Sequence, residues 1–138
     1  MHLLVPPECR RPVLADGRDV HALLAELAPV VSDTVVVIHL DAEGRLRCIV
    51  TLDDVPLPGL FDDCDPVFRL AGASGADRLW MATVGRSDPG PVDIDLLGAV
   101  RRAGVRCGVP VLDWLLVDGD AIGSVDDYAA TWRRRASP

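Results

Sequence analysis

The chain contains no lysine. All 14 of its basic residues are arginine, set against 21 acidic residues that are mostly aspartate. The resulting charge of −7 argues against broad nucleic-acid binding, because neutralising phosphates takes a basic surface. GC-rich coding, which favours Ala, Arg, Asp, Gly, Pro and Val, accounts for the missing lysine more simply than selection against its modification. There is no C-x-x-C pair either. Cys9, Cys48, Cys64 and Cys107 are scattered, and no histidine accompanies a cysteine pair. Zinc-finger and thioredoxin-like sites are therefore excluded, and the cysteines are expected to be small buried hydrophobes in a reducing cytoplasm. No apolar run reaches the length of a membrane span. The opening residues are cut short by Pro6 and Pro7 and do not make a signal peptide. Ser74 and Ser87 lack a G-x-S-x-G elbow and a nearby histidine, and the run from Ala71 to Asp77 lacks the lysine of a phosphate loop.

What remains is an ordinary globular composition. With 138 residues, 49% of them apolar, the chain is long enough for one compact domain with a real core. Residues 1–17 are rich in Pro and Arg and are expected to form an irregular arm; residues 18–138 form the single domain. Val20, Leu23, Leu24 and Leu27 recur at three and four residues, predicting a helix over 19–27 that Pro29 ends. The β-branched run Thr34–Leu40 predicts a buried strand, and a turn with Gly44 at positive φ returns the chain as a strand over 45–52. An acidic, Pro-rich loop over 53–65 and a short helix over 66–72 follow. A third strand is expected over Arg78–Val84 and a helix over 92–107, with Leu96, Leu97, Val100 and Val105 towards the core. Strands over 109–117 and 121–125 flank a tight turn at Gly119. A final helix over 126–135 carries Tyr128 and Trp132 on one face. Alternating strands and helices, with hairpins among them, give the class α/β: a mixed, largely antiparallel sheet flanked by helices.

The segment from Ala82 to Asp95 has the frame of a metalloprotease motif, His-x-His followed by Asp, with both histidines replaced. Around it stand the hairpin Val36-Val37-Ile38-His39-Leu40-Asp41-Ala42-Glu43-Gly44-Arg45-Leu46, the run Asp88-Pro89-Gly90-Pro91 leading to Asp95, and Val111-Leu112-Asp113-Trp114-Leu115-Leu116-Val117. In this order the segments resemble the RadC-like branch of the JAB/MPN (JAMM) domain family over residues 18–127. The resemblance implies a cytidine-deaminase-like three-layer sandwich. In that family two imidazoles and a carboxylate hold zinc with a water in the open position, and a glutamate acts as general base. Here Ala82 and Val84 stand at the imidazole positions, Val92 replaces the motif's serine, and Val50 or Thr51 occupies the place of the glutamate. Asp95 alone persists. One ligand cannot hold a catalytic zinc.

The expectation is a catalytically inactive domain with no cofactor, which binds or scaffolds another protein. Two alternatives are a metal-dependent peptidase or isopeptidase with a relocated site, and a DNA-associated accessory factor, against which the acidic charge weighs. Of the histidines His2, His21 and His39, the last is expected to be a core residue rather than a ligand. Asp88, Asp93 and Asp95 can be read as a weak magnesium site or as helix capping, and capping is the simpler account. The carboxylates Asp53, Asp54, Asp62, Asp63 and Asp65 lack calcium-loop spacing and read as a solvated loop. Arg133, Arg134 and Arg135 read as a solvated helix end.

Overall fold

Seven consecutive buried residues, Thr34–Leu40, form the central strand of the molecule. Five β-branched residues in a row disfavour helix, and a strand covered on both faces can be apolar throughout. The computed structural model describes residues 2–5, 11–26, 34–52, 68–69, 73 and 75–136. Within these the order is β1 (His2–Leu4), α1 (Gly17–Glu26), β2 (Thr34–Leu40), β3 (Leu46–Leu52), β4 (Arg78–Val84), α2 (Pro91–Cys107), β5 (Val111–Asp118), β6 (Ala121–Ser124) and α3 (Val125–Ala136). The loop expected over 53–65, most of the helix expected over 66–72 and the stop at Pro29 lie outside the described residues. So do Cys9 and Cys64.

The six strands form one mixed sheet in the order β1-β3-β2-β4-β5-β6. Only β4 and β5 pair in parallel, and α2 is the connection between them. The expected hairpin of β2 and β3 is present, with Gly44 at φ 82°. Alternate residues of each strand point to opposite faces. One face carries Val35, Val37, Met81 and Leu116 against Leu97 and Val100 of α2. The other carries Val36, Ile38, Ala82 and Leu115 against Val20, Leu23 and Leu24 of α1. Helices thus flank the sheet on both sides. Among the described residues no helix is long and apolar enough to cross a membrane.

Three local expectations need correction. The N-terminal segment is not irregular throughout: His2–Leu4 pair with β3 at the sheet edge, and Leu14 is buried with its N–H on the Gly44 carbonyl at 2.8 Å. Val105 is 79% exposed, and Ala103 and Gly104 take the core positions instead. Leu97, Val100 and Gly104 repeat at three and four residues, and Val105 falls about 100° further round the helix. Cys107 is exposed at the end of α2, unlike buried Cys48.

Candidate functional site

The sheet register places two of the motif positions, Thr51 and Ala82, in one row, and Val50 on the opposite face. Thr51, Val36, Ala82, Leu115 and Ser124 are successive cross-strand partners on β3, β2, β4, β5 and β6. Directly opposed residues share a face, so Thr51 and Ala82 lie on the α1 side. Ala82 is fully buried there among apolar side chains, and Val84 packs half-buried against the same cluster. Asp95 does not join them. It stands exposed on α2, the helix that covers the opposite face. Val92, at the position of the motif's serine, is 68% exposed.

The three aspartates near the motif separate. Asp93 is buried at the third position of α2 and caps the helix start, its Oδ2 accepting the Gly90 N–H at 2.8 Å while its own N–H goes to the Gly90 carbonyl at 3.0 Å. The Arg86 guanidinium donates to both of its carboxylate oxygens, one of them at 3.0 Å. Burial works to raise the Asp93 pKa, but Arg86 and the Gly90 N–H outweigh it and hold the carboxyl below its usual range. Asp88 and Asp95 are exposed and take no part in the cap. His39 is a core residue. It is fully buried, with Nδ1 3.0 Å from Cys48 Sγ and Nε2 without a partner among the described residues. Its register partners Cys48 and Leu79 put it on the α2 side, away from Ala82. Burial lowers its pKa to about 4.

Two clefts were not anticipated. The first lies at the start of α1 and encloses about 320 Å³ between Asp16, Arg18, Trp80, Asp113, Ser124 and Asp127. It owes its shape to a bulge. Leu79 pairs with Val111 and Met81 with Trp114, so β5 carries one residue more than β4. A bulge re-aims a side chain, and here Asp113 enters the cleft. Burial raises the Asp113 pKa against the donors it accepts from, which are the Ser124 hydroxyl and the N–H groups of Trp114 and Asp126. Ser124 in turn accepts the Asp127 N–H at 3.2 Å. The pair therefore caps α3. The Ser-x-x-Asp spacing from Ser124 to Asp127 is a capping signal that the sequence carries.

The second cleft, of about 540 Å³, lies between α2 and α3. Arg101 builds its wall. Its guanidinium pairs with both Asp126 oxygens at 2.6 and 2.7 Å, and its remaining N–H groups reach the carbonyls of Val111 and Leu112. Hydrogen bonding to Asp126 raises the Arg101 pKa further. Asp95, Arg102 and Arg133 line the open side. Neither the protein-family models nor the curated proteins contain a match to this chain.

Proposed function

We propose that this chain is a JAB/MPN-like domain without a zinc centre, acting by binding another protein. The mixed sheet with helices on both faces is the architecture that the resemblance implies. The row through Thr51, Val36 and Ala82 carries the reading. Of the two residues that the resemblance puts at the general base, Thr51 shares a face of the sheet with Ala82, at the first imidazole position, and Val50 lies on the other. A threonine, a valine and a buried alanine cannot do the chemistry. The tests are elemental analysis of protein purified without chelators and an assay for peptide and isopeptide hydrolysis. Neither stoichiometric zinc nor turnover is expected, and one zinc per chain with turnover overturns the reading. A stoichiometric protein partner that co-purifies from the source cells supports the binding role, and a salt-sensitive complex with DNA alone counts against it.

One observation favours a relocated hydrolase site: Asp113 is a buried carboxyl with a raised pKa in a cleft. Its oxygens already accept three donors, which suits a cap better than a general base. Hydrolysis abolished by Asp113→Asn would reverse that preference.

A further inference from the structure

The cleft at the start of α1 holds more polar capacity than the helix caps use. Trp80 and Asp113, each 8% exposed, belong to its inner wall, and exposed Asp16, Arg18, Ile122 and Asp127 set its mouth. The β5 bulge leaves Trp80 opposite Leu112 and Asp113. The Trp80 indole N–H is buried and has no acceptor among the described residues. Such a donor is costly to leave unmade, and nearly all buried polar groups find a partner. The carboxylates also have room. Asp16 uses Oδ1 for the N–H groups of Arg18 and Asp19, and Asp113 Oδ2 takes the Ser124 hydroxyl. Each carboxylate oxygen can accept twice, so Asp16 Oδ2 and Asp113 Oδ2 have lone pairs left. The side chains of Asp127 and Arg18 have no partner among the described residues. Three carboxylates thus face one guanidinium in this lining.

We infer that this cleft binds an α-ammonium group together with the carbonyl beside it, the pair that a peptide N-terminus or a free amino acid presents. The ammonium brings donors for the open oxygens of Asp16, Asp113 and Asp127. The carbonyl brings the acceptor that the Trp80 N–H and Arg18 lack. Within one residue the two groups lie roughly 3 Å apart, so a single small ligand supplies both. A simple amine lacks the acceptor, and a simple acid lacks the donor. The cleft's volume of about 320 Å³ is at the small end of ligand cavities, which run from roughly 300 to 1,000 Å³. Ile122, 42% exposed, gives one side chain an accessible apolar wall. The chain's charge of −7 draws a cation towards it. The site does not depend on the protein-binding reading, though a peptide N-terminus held here would name one contact of such a partner.

The test uses the full chain, isotopically labelled and observed by NMR. It is titrated with trialanine amide bearing a free amine, with the N-acetyl form of that peptide, with an N-acetylated peptide whose amine is a lysine side chain, and with alanine. The free-amine peptide should shift the amides of residues 16–18 and 122–127. It should also move the indole N–H signal of Trp80, identified by its loss in Trp80→Phe, while that of exposed Trp132 stays. N-acetylation should weaken binding about tenfold, the scale of one lost hydrogen bond to a charged group, and the lysine peptide should be equally weak. Asp16→Asn with Asp127→Asn keeps a capping side chain before α1 and should also cost about tenfold. Asp118→Asn with Asp120→Asn removes the same charge outside the lining and should retain most of the affinity. Alanine binding as tightly as the peptide would support the site with a free amino acid as its ligand, and tighter binding of the peptide would support it with a chain end. Equal affinity for the acetylated peptide, equal losses in the two variants, a Trp80 indole signal that does not move, or no binding overturns the proposal.

Discussion

Two aspartates two positions apart on one helix have different fates. Asp93 is buried under a cap and an arginine, and Asp95 is exposed. Asp93→Ala should lower stability by about 1–2 kcal/mol, the usual cost of a lost cap. Asp95→Ala should stay within about 0.5 kcal/mol, as a surface change does. Urea denaturation of the two variants checks both, and the reverse ranking would return the capping role to Asp95. His39 makes a pH prediction. Its folded pKa of about 4 lies below the ordinary 6.5, so the folded chain holds fewer protons than the unfolded chain between these values. Stability is unaffected above 6.5, falls as pH drops through the window, and has lost roughly 3 kcal/mol from this group by pH 4. Asp113, with its raised pKa, acts in the opposite direction at acid pH. The comparison is therefore between wild type and His39→Phe, whose stability should decline less steeply from pH 6.5 to 4. Parallel pH profiles would clear His39.

Among the elements, α2 depends on a close approach. A Cβ on Gly104 would lie 2.4 Å from the Val109 carbonyl oxygen, and the Val109 N–H already bonds the Gly104 carbonyl at 2.9 Å. Alanine gains about 1 kcal/mol of helix propensity over glycine. Overpacking against fixed backbone costs about 1–3 kcal/mol. Gly104→Ala should therefore lower the melting temperature, and a rise would mean that the turn after α2 yields freely. The sequence carries α2 as an element through Pro91 at its start and Gly108 at its end, where φ is 74°. It does not carry which glycine touches backbone, because the partner is set by how the helix lies on β5.

For the whole molecule, the decisive fact is the placement of motif positions on the two faces of the sheet. Ala82→His with Val84→His puts two imidazoles on the α1 side, while Asp95 remains exposed on α2, which covers the other face. At most weak zinc binding is expected, since the described side chains packed around positions 82 and 84 are apolar and imidazole ligands need polar partners to orient them. Hydrolysis is not expected, since neither Val50 nor Thr51 offers a base. The larger side chain at fully buried position 82 should also cost about 1–3 kcal/mol. Calorimetric zinc titration is the check. Tight binding by the double variant would mean that the apolar packing around positions 82 and 84 yields to a metal ion.

The amino-acid sequence by itself determined the elements whose causes are local. The β-branched run makes β2, Gly44 permits its turn, and the Pro and Gly at its ends bound α2. It also determined that side chains without lone pairs stand at positions 82 and 84. The tertiary structure decided whatever depends on residues far apart in the chain. A single added residue in β5 turns Asp113 into a cleft, and the angle of α2 buries Gly104 while exposing Val105. Arg101 meets Asp126 across 25 positions, and local periodicity has no reach over that distance. A helical face or strand alternation follows from neighbours along the chain, but a cleft exists only once separate elements have taken their packing distance and register.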